Sequence, residues 1–548
     1  MSEIPEKWDL ETEVLVIGTG GAGLTAAILA HDHGAGVTVV ERSDKVGGTT
    51  AWSGGSVWVP CNHHMAEKGF SDTREAAFKY CKALAKGRAS DELIEAFVDV
   101  SPEMLKYMEE NTSVTFVTHR MPDYHPEIEG GAIGRGLGTG LFSINGLGDW
   151  LDKLRRSPQV GIPMTFEEVD RWGSVFMKPQ NIPWDEIAKR MEDGLVGMGE
   201  SLIGHLFKAC LDRGIEPLLN TRGLELVIQG GRVVGLSGEQ QGKKWCARAD
   251  KAVILACGGF EWNQELVESF LPGPVTQPNS PRVNEGDGLK MAISVGAQLG
   301  NMSETWGFPS LGIPGEEVDG HPWYRAMLLE RSSPHCIIIN RQGKRFVNEA
   351  ACYSDMFRPL WNVDENTLEH VNIPCWHIFD EQFHDKYPMA NTIMPGDNIP
   401  PWIIQGDTLE ELAQKAGIDP GGLKTTCARF NKMAGKGVDH DFNRGKSAYD
   451  RYWGDQDHGP NPSLGTIEKP PFYAWECHPG GVGTKGGPKT NTKGQVLHIS
   501  GRPIPGLYAA GNVMAVVSGP SYWGAGATIG PAMTFGYICG KNAAEEKP

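Results

Sequence analysis

The sequence predicts an α/β fold in which a parallel-sheet domain is interrupted by a second, α+β domain. Three observations support this prediction. The chain opens with an apolar strand, a glycine-rich loop, a helix and a second apolar strand in close succession. Its central part, from about residue 306 to residue 476, is rich in proline and tryptophan and has less regular strands. Near the end an apolar strand again leads into glycine and a helix, so the two ends are expected to form one domain.

The first 41 residues have the order of a βαβ unit. Residues 14–17 are a short apolar strand, residues 24–33 are rich in alanine and leucine like a buried helix, and residues 37–40 are a second apolar strand. Two parallel strands joined by a helix require this order. Residues 18–23, between the first strand and the helix, have the sequence Gly-Thr-Gly-Gly-Ala-Gly.

A Gly-x-Gly-x-x-Gly loop between a strand and a helix is typical of dinucleotide-binding proteins. Gly18 permits the tight turn, Gly20 lets the backbone approach a pyrophosphate, and Gly23 lets helix and strand pack closely. The helix N-terminus offers free N–H groups and partial positive charge to the phosphates. Glu41, at the end of the second strand, is expected to accept hydrogen bonds from the ribose hydroxyls. The loop by itself fits NAD as well as FAD.

The remaining elements are predicted from apolar runs and turn residues. They are a helix over 201–213, a strand over 216–219, a hairpin of 224–228 and 232–236 around Gln229, Gly230 and Gly231, a strand over 251–256, a strand beginning near 507, and a closing helix over 529–542. The expected domain limits are 1–308 and 479–548 for the first domain and 309–478 for the inserted one.

Composition excludes several classes of function. The formal net charge of −17 argues against nucleic acid or an anionic membrane as the main partner. No apolar stretch approaches a membrane span and the N-terminus is polar, so a cytoplasmic protein is expected, with peripheral membrane contact left open. The 11 cysteines form no Cys-x-x-Cys pair. His63 and His64 have no partner ligands at suitable spacing, so no metal site is expected.

Two segments resemble the fumarate reductase/succinate dehydrogenase flavoprotein superfamily. Residues 46–55 resemble its second flavin-contacting segment, and residues 507–512 resemble its strand that ends at the isoalloxazine. The resemblance implies FAD, a Rossmann-like FAD-binding domain with an inserted catalytic domain, and a last helix whose N-terminus faces the flavin. The residues expected to bind FAD are Gly18, Gly20, Gly21, Ala22, Gly23, Glu41, Arg42, Gly48, Thr49, Thr50, Ser53, Gly54, Gly55, Gly223, Gly511, Asn512, Ala527, Thr528 and Ile529.

The C-terminal segment distinguishes among members of that superfamily. Dicarboxylate enzymes need arginines, and this chain has no arginine after Arg502. Residues 518–526 are neutral and aromatic, and Tyr522 with Gly526 resembles the motif of the 3-ketosteroid Δ1-dehydrogenases. Residues 343–353, 122–124 and 483–487 also resemble segments of that family, of which the first two end in Tyr353 and Tyr124. Trp523 and Ala525 depart from the family, which often has proline or glycine there.

The resemblance implies roles for these residues. The Tyr522 hydroxyl and Gly526 N–H would polarise the ketone of a 3-ketosteroid. Tyr353 would take the proton from C2 while hydride passes from C1 to the flavin N5. Tyr124 would donate to Tyr353 and lower the cost of forming its phenolate. Trp52, Phe116 and Trp523 are expected to line the substrate pocket, and Trp306, Phe308 and Trp323 are further candidates.

Three alternatives remain open at this point. The nearest is Δ4-dehydrogenation of a saturated 3-ketosteroid, which uses similar polarisation. A fumarate-type flavin reductase is more distant, because its C-terminal arginine is missing. The third is a non-enzymatic FAD redox module. Side-chain preference, the electron acceptor, the oligomeric state and covalent attachment of the flavin are left open by the sequence.

Overall fold

The computed structural model describes residues 4–173 and 175–547, which form two seven-stranded sheets, three small sheets of two or three strands, and the helices around them. From the N-terminus to residue 300 the elements are β1 Leu10–Ile17, α1 Gly21–Asp32, β2 Val37–Val40, α2 Gly48–Trp52, β3 Val57–Trp58, α3 Arg74–Ala85, α4 Asp91–Asn111, β4 Phe116–Thr118, β5 Gly136–Thr139, β6 Phe142–Ser143, α5 Phe166–Arg171, α6 Trp184–Glu192, β7 Leu195–Val196, α7 Met198–Asp212, β8 Thr221–Gln229, β9 Arg232–Gln240, β10 Lys243–Leu255, α8 Gln264–Phe270, β11 Gln277–Pro278, α9 Asp287–Ser294 and β12 Leu299–Gly300.

The segments of the described chain after residue 300 form most of the second large sheet, which β11 also joins, and then return to the first. Their elements are β13 Thr305–Val318, β14 His321–Ala326, β15 Cys336–Ile339, α10 Tyr353–Phe357, β16 Cys375–Asp380, α11 Glu381–His384, β17 Ile404–Gly406, α12 Leu409–Ala416, α13 Pro420–Ala434, α14 Ala448–Tyr452, β18 Phe472–Thr484, β19 Gly487–Pro488, β20 Gln495–Leu497, β21 Pro503–Ala509 and α15 Ile529–Glu545. Short 3₁₀ helices cover Ala66–Lys68, Ile144–Lys153, Pro179–Asn181, Glu330–Ser332, Arg358–Trp361 and Gly511–Val513.

The first sheet has the order β2-β1-β10-β21-β20, with β9 paired to β10 and β8 paired to β9. β1 is parallel to both β2 and β10, and β10 is parallel to β21. The predicted βαβ unit and the return of the chain near residue 507 are therefore confirmed. Residues 216–219 are not the predicted strand, because only Leu218 forms a bridge, to Val40, and it lies at the edge beyond β2.

The second sheet has the order β14-β13-β18-β16-β15, and β18 is antiparallel to both of its neighbours. Along β15, Cys336 and Ile338 belong to one hydrophobic core while Ile337 and Ile339 belong to another. Alternation of this kind places apolar layers on both faces of the sheet. The predicted domain limits at 308/309 and 478/479 fall inside β13 and β18, and those limits remain a prediction.

Helices α1 and α15 pack against each other through glycine. A Cβ atom on Gly536 would lie 2.4 Å from the Ala22 carbonyl oxygen, and one on Gly540 would lie 2.3 Å from the Ala26 oxygen. Only glycine permits so close an approach of two backbones. This packing joins the first and last helices of the first domain, which begin at Gly21 and Ile529.

Candidate functional site

A cavity of about 450 Å³ connects the glycine loop with a group of tyrosines. At one end it is lined by Gly18, Gly20 and Glu41, and farther along by Tyr353 and Tyr522. The cavity therefore brings the predicted cofactor residues and the predicted catalytic residues into one space.

The glycine loop is shaped by close backbone contacts. Gly18 has a φ of +108°, and a Cβ there would lie 2.5 Å from the Ala256 oxygen. A Cβ on Gly23 would lie 2.0 Å from the Gly18 oxygen, so this glycine serves helix packing and does not line the cavity. A Cβ on Gly20 would have no neighbour nearer than 3.7 Å, from the Thr50 hydroxyl. The loop therefore presents open backbone at Gly20 and closed packing on either side.

Charged residues follow at the end of β2. The buried carboxylate of Glu41 accepts hydrogen bonds from the Thr19 N–H at 3.1 Å, the Thr19 hydroxyl at 2.6 Å and the Ser43 N–H at 2.9 Å. Arg42 pairs with Glu285 at 2.9 Å and Asp287 at 3.2 Å. Glu41 is thus held at the cavity wall, where a ribose would lie relative to the helix N-terminus.

The N-terminus of α15 reaches the same cavity. Thr528 precedes the helix without capping it through its side chain, and Ile529 lines the cavity. Two helix N-termini with their partial positive charge therefore face one space. Together with the open backbone at Gly20, this set of groups fits FAD. Of the residues predicted to bind FAD, those that line the cavity are Gly18, Gly20, Gly21, Ala22, Glu41, Arg42, Gly48, Thr49, Thr50, Ser53, Gly54, Gly55, Gly223, Gly511, Asn512, Thr528 and Ile529.

Ala527 departs from this pattern. Its side chain is fully buried, it does not line the cavity, and its N–H donates to the Gly524 oxygen at 3.0 Å. It shapes the turn before α15 and lies outside the cavity lining, so its predicted contact with FAD stays a prediction.

Three distant segments bring their tyrosines together. The ring centroids of Tyr124 and Tyr522 are 5.0 Å apart, those of Tyr353 and Tyr522 are 5.5 Å apart, and those of Tyr124 and Tyr353 are 5.8 Å apart. All three line the cavity. Tyr353 is the first residue of α10, which directs it toward the C-terminal loop that carries Tyr522.

A fourth tyrosine joins this group without having been predicted. Tyr449, in α14, lines the cavity and its ring centroid lies 4.8 Å from that of Tyr124. The sequence signal that was available is the run of aromatic residues Tyr449, Tyr452 and Trp453. That run alone does not separate a site residue from a packing residue.

Burial decides the protonation of these phenols. It raises the pKa of Tyr353 well above its usual value, and the neighbouring phenols of Tyr124 and Tyr522 raise it further. Burial also raises the pKa of Tyr124, which a hydrogen bond with Tyr353 partly offsets. The role predicted for Tyr124, to support the Tyr353 phenolate through a hydrogen bond, stays a prediction.

Tyr522 has a polar partner. The Thr528 hydroxyl donates to its phenol oxygen at 3.0 Å. Burial raises the pKa of Tyr522, and the hydrogen bonds from Thr528 and Tyr353 oppose that rise. Thr528 was predicted only as a cofactor residue, and its contact with Tyr522 is additional.

Position 526 requires glycine because of its backbone conformation and its close contact with Ser56. Its φ is +89°, and a Cβ there would lie 2.5 Å from the Ser56 carbonyl. Within residues 4–173 and 175–547, no acceptor takes up the Gly526 N–H. An N–H that lines a cavity without a protein partner is available to a ligand oxygen.

Two predicted pocket residues lie elsewhere. Trp523 is fully buried against Trp58 and Phe97, with ring centroids 5.4 and 5.3 Å away, and it does not line the cavity. Phe116 is buried in β4, where it pairs with Thr139, and it also lies outside the lining. Both predictions are corrected. The resemblance did not resolve which way the Trp523 and Phe116 side chains point.

Apolar side chains line much of the rest of the cavity. Trp52 lines it as predicted. The other apolar lining residues there include Val160, Ile162, Met164, Phe166, Val175, Phe176, Ile182, Trp184, Phe308, Leu328, Leu329 and Met394. Trp306 packs behind Tyr522, with ring centroids 4.6 Å apart. This part of the cavity suits a flat apolar molecule.

Charge is confined to particular walls of the cavity. Among the described lining residues the cations are Arg42 and Arg222, and both are paired with Asp287 at the dinucleotide end. Glu330 also lines the cavity; its carboxylate is buried and burial raises its pKa. The apolar part therefore has no described cation that would pair with a carboxylate.

The structure gives His63 and His64 a common partner, and it also bears on the prediction that the chain has no membrane span. Glu109, from α4, contacts His63 at 3.0 Å and His64 at 2.8 Å, a partner that sequence spacing did not show. In the part of the chain that the structure describes, no helix has the length and apolar character of a membrane span.

The chain matches the FAD binding domain family over residues 13–529. It is 40% identical to 4-oxocyclohexanecarboxylate 2-dehydrogenase from Sinomonas cyclohexanicum, over 97% of this chain and 92% of that protein. It is 38% identical to 3-oxosteroid 1-dehydrogenase from Mycobacterium tuberculosis, over 98% of this chain and 99% of that protein.

Among solved structures, it is similar to 3-ketosteroid Δ1-dehydrogenase from Sterolibacterium denitrificans in complex with 1,4-androstadiene-3,17-dione. The TM-score is 0.91 at 35% identity, and the match covers 98% of this chain and 99% of that one. The chain therefore belongs to the family of FAD-binding flavoproteins that contains the 3-oxosteroid 1-dehydrogenases and 4-oxocyclohexanecarboxylate 2-dehydrogenase, and its cofactor is FAD.

Proposed function

We propose that this protein catalyses the FAD-dependent 1,2-desaturation of 3-ketosteroids in steroid catabolism. The observation that carries the proposal is the convergence of Tyr124, Tyr353, Tyr522 and the free N–H of Gly526 on the cavity that also holds the dinucleotide loop. The names of the relatives support it independently.

The chemistry needs a polarised ketone and an acceptor for a proton on the adjacent carbon. The Tyr522 hydroxyl and the Gly526 N–H donate to the C3 oxygen and stabilise the enolate that develops there. Tyr353 takes the proton from C2. FAD, when bound, supplies the acceptor for the hydride that leaves C1.

Tyr353 can take the C2 proton only as the phenolate, so its own proton must be lost first. At pH 7 a phenol of ordinary pKa near 10 gives up its proton at a cost of about 4 kcal/mol, and burial adds to that cost. The oxyanion donors at Tyr522 and Gly526 offset part of it, because they stabilise the charge that develops on the substrate. The deprotonation of Tyr353, taken by itself, should therefore make turnover rise with pH.

A neutral polycyclic ketone fits the cavity better than a small keto acid does. One relative acts on 4-oxocyclohexanecarboxylate, whose carboxylate would need a cation. The cations in the described lining, Arg42 and Arg222, are already paired at the dinucleotide end. Burying an unpaired carboxylate among apolar side chains is costly, so the keto acid should be a poor substrate.

The proposal also covers the Δ4 alternative, the location of the protein with its electron acceptor, and the domain limits. The Δ4 reaction uses the same polarisation and differs in which carbons lose hydrogen, so the two are separated by the product alone. A cytoplasmic location with an unidentified electron acceptor, with or without peripheral membrane contact, accords with the net charge of −17. We retain 1–308, 309–478 and 479–548 as the domain limits.

Anaerobic titration of the purified yellow protein with androst-4-ene-3,17-dione tests the function. Bleaching of the flavin and formation of the 1,4-diene, identified by NMR, are expected. Saturated 5α-androstane-3,17-dione offered in parallel reports Δ4 activity by its 4-ene product. Bleaching by 4-oxocyclohexanecarboxylate at lower concentrations than by the steroid would overturn the substrate assignment. No bleaching by any of the three ketones would overturn the proposal and leave the fumarate-type flavin reductase and the non-enzymatic FAD module as the remaining functions.

A further inference from the structure

Lys485 is a fully buried lysine behind the tyrosine group, in the link between β18 and β19. Its side chain does not line the cavity. A buried ammonium is costly unless its donors are satisfied. The contacts of the Lys485 amine therefore indicate its structural role.

The Lys485 amine contacts the loop that carries Tyr522. It donates to the Pro520 oxygen at 3.0 Å and to the Ser521 oxygen at 3.1 Å, which are the two residues immediately before Tyr522. Its main chain also accepts from the Val516 N–H at 3.1 Å, at the start of the same loop. Lys485 thus fixes both ends of the segment that leads into Tyr522.

A second path leads from Lys485 to Tyr522 through Trp306. The Lys485 Nζ lies 4.0 Å from the centroid of the Trp306 ring, a cation–π distance. The Trp306 and Tyr522 centroids are 4.6 Å apart. The Trp306 indole N–H donates to Asn512 at 3.1 Å, which fixes the ring relative to the cofactor wall.

We propose that Lys485 is a positioning residue that holds residues 518–526 and the Trp306 ring so that the Tyr522 hydroxyl points at the substrate ketone. The proposal rests on the proposed function for its catalytic consequence, and on geometry alone for its effect on the loop. The amine acts through Tyr522 and touches neither substrate nor cofactor in this arrangement.

The charge of Lys485 is sensitive to pH near neutrality. Burial, followed by the neighbouring Arg358, lowers its pKa to about 7, while Glu304, Asp355 and Cys352 oppose that change. A neutral amine still has two N–H donors for the two carbonyls, but it loses the cation–π contact with Trp306. Lys485 should therefore loosen the Trp306 ring as the pH rises through about 7, without releasing the loop.

Hydrogen–deuterium exchange of the FAD-loaded enzyme tests the loop. In Lys485→Met, amides of residues 518–526 should exchange at least tenfold faster, whereas the exposed control Lys493→Met should match the wild type. If Lys485→Met fails to fold, Lys485→Gln, whose shorter side chain does not reach both the Pro520 and Ser521 carbonyls, should show the same acceleration. Unchanged exchange in the folded variant overturns the proposal.

Steady-state kinetics then tests the consequence for Tyr522. With androst-4-ene-3,17-dione, Lys485→Gln should raise KM and lower kcat, each at least fivefold, and Lys485→Arg should recover most of both. The pH profile of kcat/KM for the wild type should contain an inflection near 7 that is weaker in Lys485→Gln, in which the His125–Asp355 pair still titrates. Equal KM and kcat in the wild type and Lys485→Gln would overturn the positioning role of Lys485. A wild type without turnover, together with faster loop exchange in the variant, refutes the proposed function and leaves the positioning role intact.

Discussion

His125 and Asp355 form an ion pair, with 3.1 Å between Nε2 and Oδ2. His125 directly follows Tyr124, and Asp355 lies two residues after Tyr353 on α10. The pair therefore links the two chain segments that carry these tyrosines. Because Tyr124 and Tyr353 come from distant parts of the sequence, this link helps to fix their separation.

The His125–Asp355 pair should make the site pH-dependent. Burial alone would lower the pKa of His125, but Asp355 outweighs it and the pKa lies above the usual 6.5. Burial alone would raise the pKa of Asp355, but His125 outweighs it and the pKa lies below 3.8. The contribution of His125 to stability is complete below pH 6.5 and is lost as the pH rises through its folded pKa.

Asp355→Asn should therefore lower the melting temperature more at pH 6 than at pH 9, and lower kcat about tenfold, a loss worth about 1.4 kcal/mol. Calorimetry at the two pH values measures the first effect. Asp250→Asn, which breaks an exposed pair with Arg248, serves as the control. An equal loss of melting temperature at both pH values would contradict the role of the histidine.

Tyr353→Phe should nearly abolish turnover while FAD stays bound, because the proton acceptor is removed and the ring is kept. General-base contributions suggest a fall in kcat of about 10²–10⁴-fold. Dye-coupled turnover and the flavin absorbance of the same sample measure the two properties. The matched control is Tyr107→Phe, whose hydroxyl bonds to Asp32 away from the cavity. Full activity in Tyr353→Phe would remove it as the base.

Tyr522→Phe should both raise KM and lower kcat, because its hydrogen bond to the ketone exists before and during the reaction. Thr528→Val should give a smaller effect in the same direction, since it removes the donor 3.0 Å from the Tyr522 oxygen and raises the pKa of that phenol. Initial-rate kinetics with androst-4-ene-3,17-dione separates KM from kcat. If Thr528→Val were more damaging than Tyr522→Phe, its main role would lie with FAD.

Glu41→Gln should weaken retention of FAD without unfolding the protein. The carboxylate accepts from Thr19 and Ser43 and faces the cavity, and an amide accepts fewer hydrogen bonds. Dialysis followed by the absorbance ratio of flavin to protein measures the loss. Glu11→Gln, an exposed site at the start of β1, should retain FAD as the wild type does. Equal retention in both variants would exclude Glu41 from the ribose contact.

Local sequence signals were sufficient where a function depends on adjacent residues. Gly18 to Gly23, Glu41 and the strand before Gly511 are each recognisable within a few positions, and the structure places most of them around the cavity. The direction in which each side chain points could not be predicted from these local signals. Trp523 follows Tyr522 yet packs into the core, and its carbonyl accepts from the Tyr80 hydroxyl at 2.6 Å.

Contacts between residues that are distant in sequence could not be predicted either, because they exist only in the folded chain. Tyr449, Glu109 and Lys485 acquire their roles from contacts that only the folded chain creates. Residues 483–487 did match the expected family, but the spacing of that segment gives no sign that the Lys485 amine reaches Pro520. The 5.8 Å separation of the Tyr124 and Tyr353 ring centroids likewise depends on geometry that residue identity and spacing do not contain.

The packing of α1 against α15 through Gly536 and Gly540 has a consequence for biosynthesis. A ribosome that has made only the first half of the chain has produced the phosphate-binding loop without the helix that completes its surroundings. Domains usually fold as units, with N-terminal parts first. Here the opening βαβ unit must wait for the last strand and helix, so newly made protein should acquire its flavin only after synthesis is nearly finished.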